Sequence, residues 1–269
     1  MNYVVYSHSE FSDILGVQTD YLRDVRDKFL FINKSDLDIS LSRIMANYKD
    51  IIFYDDSKPY ANRLIECFEQ LKSKHKIEYC LFTHDIDIIF KKDQKILDNC
   101  LQIMKDRQIH RVDLQYDWNA NDQEKLINLE TFQIDNQLEK KSYYMRKDAV
   151  GDYAYNVNPS IWKIEYFLNL LRIDNNLGYR QIELDERIQT YAKRVVKAHK
   201  LKSTEDQEVR CGYFSCLPFY IFFHITHGGK LVPLDQDHRF FPEQSHYDVK
   251  AEYCKILEKY NLSSKRGHN

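Results

Sequence analysis

The fold is decided by residues 51–82, whose sequence is IIFYDDSKPYANRLIECFEQLKSKHKIEYCLF. The stretch contains two short apolar runs with a helical pattern between them, at residues 51–54, 60–74 and 79–82. In the middle segment apolar residues recur at helical spacing: Ala61, Leu64, Ile65, Phe68 and Leu71. Pro59 suits the first turn of this helix, and Ser57 can cap it. A strand, a helix and a second strand predict a right-handed crossover between parallel strands.

Two earlier apolar runs extend this pattern, at residues 3–6 and 29–32. All four runs are rich in β-branched or aromatic residues, as buried strands are. They recur about every 25 residues, which is the period of a strand plus a crossover helix. The sequence therefore predicts an α/β fold, with a mixed, mostly parallel sheet flanked by helices.

Beyond residue 90 the pattern is less regular. Apolar spacing predicts helices over residues 96–107, 161–171, 181–200 and 249–260, and alternation predicts a strand over residues 110–116. Residues 117–150 are polar and uneven, and we interpret them as an insertion or a loop. We find no internal repeat and expect a single domain over residues 1–269.

The composition excludes several classes of protein. The 269 residues include 39 Lys and Arg against 41 Asp and Glu, whereas a dedicated nucleic-acid binder needs a basic excess. A charged share of 30% and a mean hydropathy of −0.61 exclude an integral membrane protein. An apolar share of 43% excludes a disordered chain. The first residues lack the basic segment of a signal peptide, so we expect a cytoplasmic protein without a transmembrane segment.

The six cysteines lie far apart, and no two of them have the C-x-x-C spacing of a redox or zinc site. Cys211, Cys216, His224 and His227 do not match the spacing of a zinc finger either. Buried thiols in a reducing compartment are the interpretation that this pattern favours.

The sharpest chemical motif is Thr83-His84-Asp85-Ile86-Asp87, directly after the fourth apolar run. In open α/β sheets, ligands bind beyond the carboxyl ends of the strands. Asp85 and Asp87 can both approach a hard divalent cation such as Mg²⁺ or Mn²⁺, which takes phosphate oxygens as further ligands. Such a cation would neutralise charge on a departing diphosphate. The alternative is that both residues are solvated loop carboxylates.

A second motif follows the third apolar run and contains Asp55, Asp56, Tyr60 and Arg63. Arg63 falls in the first turns of the predicted helix, where phosphate is favoured, and a guanidinium can grip a diphosphate through two donors. In the alternative interpretation, Asp55 and Asp56 cap the helix and Arg63 is their surface partner. Ser7 and His8, after the first run, can line a nucleotide pocket.

Three further features have both a chemical and a structural interpretation. In residues 227–230, His227 can bind metal, Gly229 can let the backbone approach phosphate and Lys230 can neutralise it, or the glycines form a hairpin turn. Glu183 or Asp185 can act as a general base, or both simply favour a helix start. Trp162 can stack on a sugar, or it lies on an apolar helix face in the core.

Taken together, these motifs resemble glycosyltransferases of the GT-A fold, and especially the short cytosolic enzymes of bacterial surface-polysaccharide clusters and large DNA viruses. The matching segments are Tyr6 to Ser9, Asp55 to Arg63, Phe82 to Asp87, Asn158 to Trp162, the acidic helix start at Glu183, and Gly228 to Lys230. The chain departs from the pattern in having Asp85-Ile86-Asp87 for a Glu-Asp pair and Tyr179 in place of a Trp.

The resemblance implies a GT-A-like (Rossmann-like) catalytic domain over residues 1–269. Residues 1–116 would form the nucleotide-sugar half, and residues 150–269 the acceptor side. It implies a nucleotide-diphosphate sugar as donor, a glycan or lipid-linked glycan as acceptor, and Mn²⁺ or Mg²⁺ at Asp85, Asp87 and His227. Donor contacts would come from Ser7, His8, Asp55, Asp56, Tyr60, Arg63, Asp85, Gly229 and Lys230. Glu183 or Asp185 would be the base, and Trp162 would contact the acceptor.

Two other functions are compatible with the same residues. A metal-dependent nucleotidyltransferase or phosphohydrolase could use the same two aspartates, and it would release pyrophosphate or monophosphate. A non-catalytic interaction domain would use the aromatic run over residues 213–223 as a docking surface.

Overall fold

The computed structural model describes residues 1–33, 39–106, 110–114, 155, 157–198, 212–213, 220–227, 229–234, 249–262 and 266. The strands are β1 Tyr3–Tyr6, β2 Lys28–Asn33, β3 Asp50–Tyr54, β4 Tyr79–His84, β5 Asp87–Lys92, β6 Arg111–Asp113, β7 Ser160–Lys163, β8 Gly212–Tyr213, β9 Tyr220–His224, β10 Thr226–His227 and β11 Lys230–Leu231. The helices are α1 Ser12–Tyr21, α2 Ile39–Met45, α3 Tyr60–His75, α4 Gln94–Asp106, α5 Ile164–Leu171, α6 Tyr179–Leu184, α7 Glu186–Ala198 and α8 Val249–Tyr260, with a 3-10 turn at Ser9–Phe11.

Seven strands form the main sheet in the order β3-β2-β1-β4-β7-β6-β8. The first four are mutually parallel, β7 is antiparallel to both β4 and β6, and β6 is parallel to β8. Two small antiparallel pairs, β5 with β9 and β10 with β11, complete the described strands. The predicted mixed, mostly parallel sheet with flanking helices is therefore confirmed.

The order of the parallel strands reverses at β1. Strands β2 and β3 follow on one side of β1, whereas β4 lies on the other side. Tyr6 at the end of β1 is in register with Phe31 of β2 and with His84 of β4. The carboxyl ends of β1 and β4 thus lie side by side, and the crevice beyond such a switch point is where open α/β sheets bind ligands.

Helices cover both faces of the sheet. On one face, Phe68 of α3 and Phe167 of α5 pack edge-on at 5.3 Å, and both contact Phe82 of β4. On the other face, buried residues of α1, α2 and α4 pack against β1, β2 and β4. A third cluster joins β5, β9 and the β10–β11 hairpin to α8. Burial of these apolar side chains is the main favourable contribution to folding.

The helix predicted over residues 161–171 is partly wrong, because residues 160–163 form strand β7 and the helix begins at Ile164. Pairing with β4 over Tyr79–Phe82 overrides the helical spacing. Trp162 therefore lies on a strand. Its ring stacks on Phe167 with centroids 4.4 Å apart, and the Arg111 guanidinium lies 4.7 Å from its centroid. The side chain is buried in the core, so no face of it is open for an acceptor sugar.

The single helix predicted over residues 181–200 is wrong as well, since α6 and α7 are separate and Asp185 lies between them. The backbone N–H groups of Arg187 and Ile188 donate to Asp185 Oδ1, at 2.9 and 3.3 Å, and these bonds cap the start of α7.

Helix α3 is confirmed, although Pro59 rather than Ser57 is its N-cap. Helix α8 matches its predicted bounds, and residues 117–150 lie outside the described residues.

Of the cysteines in the described part of the chain, Cys67, Cys80 and Cys100 are buried and free, as predicted, while Cys254 is exposed. No helix among the described residues combines the length and the hydropathy needed to cross a membrane.

Candidate functional site

The floor of the candidate site is a hydrogen bond between Ser7 and Asp85. The Ser7 N–H donates to Phe31 O of β2, and the Asp85 N–H donates to Tyr6 O of β1, both at 2.9 Å. These backbone bonds continue the parallel sheet by one residue beyond each strand. The two side chains consequently meet at the switch point, where Ser7 Oγ donates to Asp85 Oδ2 at 2.5 Å.

Asp85 is almost completely buried, with 5% of its surface exposed. Burial raises the pKa of its carboxyl to about 6, although the Ser7 hydroxyl and nearby His84 oppose the shift. A desolvated acid in a strand-end crevice departs from the usual behaviour of a solvated loop carboxylate. The structure therefore favours the chemical interpretation of Asp85 over the loop interpretation.

Asp87 lies two residues further, at the start of β5, and is 1% exposed. The β5–β9 register places it opposite His224, and its Oδ1 lies against His224 Nδ1. Burial alone would raise the pKa of Asp87, but His224 and His84 lower it to about 2. Asp87 also raises the pKa of His224 against the effect of burial on that ring. This pair favours a charged Asp87 beside a protonated His224.

Buried Gln18 of α1 holds the start of β5 in position. Its side-chain amide donates to Asp87 O at 2.9 Å and accepts from the Ile89 N–H at 3.1 Å. These two bonds replace those that a neighbouring strand would make. The Gln18 side chain thereby satisfies backbone groups of β5 on the side that faces α1. They fix the point at which the chain turns from β4 into β5, and hence the placement of both acids.

Aromatic residues form one wall beside the acids. Tyr60, at the start of α3, is hydrogen-bonded to His84 Nε2 at 2.7 Å. Tyr6 stacks on Tyr54 with centroids 4.9 Å apart, and Tyr54 donates its hydroxyl proton to Ser7 O at 2.7 Å. Tyr179 of α6 packs edge-on against both Tyr60 and His84 at 5.2 Å. The wall orients His84 and Ser7, the two neighbours of Asp85.

The turn after β3 holds the second predicted motif. Arg63 pairs with Asp56 at 3.0 Å and donates through Nε to Lys58 O at 2.6 Å. Asp56 also accepts from His8 Nε2 at 2.8 Å, and Asp55 accepts from the Ser57 N–H at 2.9 Å. Arg63 thus pairs with Asp56 next to His8, as the structural alternative predicts, but neither acid caps α3, whose N-cap is Pro59.

The third motif forms the β10–β11 hairpin, with Gly229 in the left-handed region at φ 81°. His227 and Lys230 are paired across it and are exposed. The hairpin reaches the acids through its base, since the Ile225 N–H donates to Ile86 O at 2.9 Å. It is His224, rather than the predicted His227, whose ring meets Asp87. The metal role of His227 stays a prediction.

The two candidate bases have different surroundings. Glu183 Oε1 accepts from the Val157 N–H at 2.6 Å, and its charge contributes to the raised pKa of His224. Glu183 therefore lies close enough to the site for its charge to act on His224. Asp185 caps α7 and pairs with the Arg187 guanidinium at 2.6 Å, which lowers its pKa. Capping and pairing account for Asp185 without a catalytic role.

Several residues of the site were not predicted: Gln18, Asn33, Tyr54, His84 and His224. Asn33 ends β2 and accepts from the Ser9 N–H at 2.7 Å, next to the Ser7–His8 segment. A polar residue at the end of an apolar run was the available signal for Asn33. His224, at the end of the run Tyr220–His224, carried the same signal.

Chemically, the acids suit a divalent cation. Buried His84 Nδ1 has no hydrogen-bond partner and lies 3.8 Å from Asp87 Oδ2, next to Asp85 in the chain. Carboxylate oxygens are donors that suit Mg²⁺ and Mn²⁺, and an imidazole nitrogen suits Zn²⁺ or Fe²⁺. Within the described residues, however, no three His, Cys, Asp or Glu side chains are arranged as a complete metal site. A cation here would need ligands from outside the protein, such as phosphate oxygens.

No protein-family model matches the chain, and no curated protein matches it in sequence. Solved structures with a similar course of the chain include a cytidylyltransferase from Leptospira borgpetersenii, with a TM-score of 0.41 and 11% identity over 72% of each chain. A UDP-glucose pyrophosphorylase in complex with UDP-glucose has a TM-score of 0.43 and 11% identity, over 98% of this chain and 99% of its own. Residues 1–349 of S. aureus TarS have a TM-score of 0.44 and 12% identity, over 82% of this chain and 60% of that one. These similarities are low in both sequence and fold, so function is argued from the site itself.

Proposed function

We propose that the protein is a glycosyltransferase that moves a sugar from a nucleotide-diphosphate donor to a hydroxyl of a glycan or lipid-linked glycan. The observation that carries the proposal is the Ser7–Asp85 hydrogen bond across the β1–β4 switch point. It places a buried acid in the crevice where open α/β sheets bind ligands, and a second acid, Asp87, lies two residues away. The resemblance of the motifs to GT-A enzymes supports the same conclusion.

The donor side of the proposed site is formed by the ends of β1 and β3 and the β10–β11 hairpin. His8 and Arg63 both contact Asp56, and Lys230 lies on the hairpin. Arg63 and Lys230 would supply positive charge to the diphosphate, and the floor of the proposed crevice is acidic. A diphosphate with a bound cation matches such a site, because its phosphate oxygens accept from the rim while the cation faces the acids.

Asp85 and Asp87 are the residues that would hold Mn²⁺ or Mg²⁺. When bound, the cation would stabilise negative charge on the departing nucleoside diphosphate. His224 and His84 keep Asp87 charged, and Ser7 orients the Asp85 carboxylate. These side chains prepare the acids for a ligand before it arrives.

Glu183 is the proposed base that takes a proton from the acceptor hydroxyl in a reaction that inverts configuration. Its charge acts on His224, the partner of Asp87, and the Val157 N–H fixes one of its oxygens. The other oxygen is then oriented by the same bond. A positioned carboxylate of this kind contributes about 10² to 10⁴ in rate.

The proposal is tested with a thermal-shift screen of nucleotide sugars and free nucleotides, with and without Mn²⁺. Wild type is compared with Asp85→Ala/Asp87→Ala and with Asp27→Ala, an acid whose side chain is 39% exposed at the opposite end of the sheet. We expect a Mn²⁺-dependent shift with one nucleoside diphosphate, equivalent to about 3 kcal/mol at 100 times the dissociation constant. The shift should be lost only in the double variant.

Product analysis separates the proposal from the nucleotidyltransferase alternative. Glycosyl transfer releases the nucleoside diphosphate, whereas nucleotidyl transfer releases pyrophosphate and hydrolysis releases monophosphate. Release of pyrophosphate from a nucleoside triphosphate and a sugar phosphate would replace the proposed reaction with nucleotidyl transfer. A screen with no shift for any nucleotide would refute both enzymes.

A further inference from the structure

The side chain of Arg266 is held by acceptors from two other parts of the fold. Its guanidinium donates to both carboxylate oxygens of Asp13, at 2.8 Å from Nε and 2.5 Å from Nη2. It also donates to Glu10 O at 2.9 Å and, more weakly, to Gly229 O at 3.4 Å. The same group lies over the Phe11 ring, 4.5 Å from its centroid. Arg266 therefore joins the start of α1 to the tip of the β10–β11 hairpin.

These contacts are largely shielded from water. The side chains of Arg266 and Asp13 are 13% and 16% exposed. Burial would raise the pKa of Asp13, but the Arg266 fork lowers it, so the carboxylate stays charged at neutral pH. A bidentate, desolvated pair of this kind is stronger and more specific in direction than an exposed ion pair.

The two joined parts both adjoin the proposed site. Glu10 and Asp13 follow His8 on the chain, and the Glu10 N–H donates to His8 Nδ1 at 3.2 Å. Gly229 is next to Lys230, and the base of the hairpin is bonded to Ile86 between the two acids. Side-chain contacts thus link these regions in two places, through Ser7 and Asp85 at the floor and through Arg266 at what we call the rim.

The tip of the hairpin has little packing of its own. A Cβ built on Gly229 would meet no atom within 4 Å, and Lys230 is exposed. Thr226 and Leu231 anchor the base of the hairpin, at 3% and 0% exposed, whereas strands this short do not by themselves fix its exposed tip. The backbone contact from Arg266 is consequently suited to fix the tip.

We propose that Arg266 is a positioning residue, which clamps the β10–β11 hairpin against the start of α1 and so holds Lys230 at the rim of the donor site. The clamp rests on the proposed function, because its purpose is to keep a cation where the donor diphosphate binds. A fixed cation costs less conformational entropy on binding than a mobile one. Removing the clamp should weaken donor binding more than it slows the bound donor's reaction.

Hydrogen exchange without any ligand tests whether the clamp exists. The proteins compared are wild type, Arg266→Ala, Arg266→Lys and the matched control Lys255→Ala, whose side chain is 73% exposed on α8. We expect exchange over residues 7–14 and 226–234 to be about tenfold faster in Arg266→Ala, because charged hydrogen bonds are lost. Arg266→Lys keeps the charge without the fork and should be intermediate. Unchanged exchange over residues 226–234 in Arg266→Ala would overturn the clamp.

Nucleotide binding tests what the clamp does. The dissociation constants of ADP, CDP, GDP and UDP with Mn²⁺ are measured for the same four proteins. For the nucleotide that binds wild type, we expect about tenfold weaker binding to Arg266→Ala and a raised KM with a smaller change in kcat. Faster exchange with unchanged affinity would overturn the positioning role. If no nucleotide binds wild type, the proposed function is refuted, and so is the clamp's role in donor binding. The exchange experiment would still show whether Arg266 holds the hairpin against α1.

Discussion

The carboxyl ends and the amino ends of the parallel strands both carry charged side chains, but in opposite settings. At the carboxyl ends, Asp85 and Asp87 are 5% and 1% exposed. At the amino ends, an open cleft of about 400 Å³ is bordered by Asp27 and Lys49, among others. These two side chains are 39% and 49% exposed and form an ion pair at 2.6 Å.

The two ends also differ in what holds the charges. Lys72, Lys74 and His75 occupy the last turn of α3, where the negative end of the helix dipole favours cations. Their presence needs no ligand to explain it. At the other end, burial moves the pKa of Asp85 up, while two histidines move that of Asp87 down. The comparison teaches that desolvation, more than the number of charges, distinguishes the candidate site.

The largest expected difference between the ends is in catalysis. Glu183→Gln should lower kcat by about 10² to 10⁴, because it removes the proposed base while keeping the shape of the side chain. The control is Glu78→Gln, an exposed acid of the amino-end cleft. The measurement is the steady-state kcat of wild type and both variants, with the donor found in the screen. Equal rates for Glu183→Gln and wild type would remove Glu183 from the mechanism.

The next difference concerns stability at neutral pH. Asp87→Asn should lower the free energy of unfolding by on the order of 2 kcal/mol, because the folded state depresses the pKa of this acid. Asp85→Asn should raise it by a similar amount, since the folded state disfavours the charge and Asn can still accept from Ser7. Urea denaturation at pH 7.5 measures both. The same sign for the two variants would contradict the opposite pKa shifts.

The pH dependence sharpens the contrast between the two acids. The folded-state pKa of Asp85, about 6, lies above its ordinary value of 3.8, so its charge destabilises the fold increasingly as pH rises from 4 to 6. The gain from Asp85→Asn should therefore be full above pH 6 and absent near pH 4. For Asp87, with a pKa of about 2, the stabilisation is present above pH 4 and is lost as pH falls towards 2. Unfolding curves of wild type and both variants from pH 2 to 8 test these windows.

The smallest effect is expected at the amino ends. Lys49→Ala breaks an exposed ion pair with Asp27, and such pairs contribute about 0 to 1 kcal/mol. We expect a change within this range that shrinks further in 0.5 M salt, and no change in nucleotide binding. Urea denaturation at two salt concentrations measures it. A loss of nucleotide binding in Lys49→Ala would erase the distinction between the two ends of the sheet.

The parallel half of the fold was predictable because its signals are local. Each of the four strands is an apolar run bounded by polar residues, and α3 and α8 have clear apolar stripes. Strand β7 was missed because its four residues join α5 without a break, so the combined apolar run has helical spacing. Only its pairing with β4, about 80 positions earlier, makes residues 160–163 extended.

The sequence predicts several residues of the site, but it does not predict which of them contact each other. Asp85 and Ser7 follow apolar runs, so the sequence placed both at the carboxyl edge, but their hydrogen bond depends on β1 and β4 being neighbours. His224 meets Asp87 only because of the β5–β9 register, which no local pattern specifies. Gly229 has the left-handed backbone of a turn, as the hairpin interpretation predicts, and the metal role of His227 stays a prediction.

The clamp has a consequence for the order in which the molecule assembles. Ser7 and Asp85 are separated by 78 positions, whereas Asp13 and Arg266 are separated by 253. Closing the longer loop costs about 1 kcal/mol more in chain entropy. We therefore expect the floor to form early with the parallel strands, and the rim to close last and to open first on warming. During folding, the molecule would pass through a stage in which the Ser7–Asp85 floor has formed and the Arg266 contacts at the rim have not.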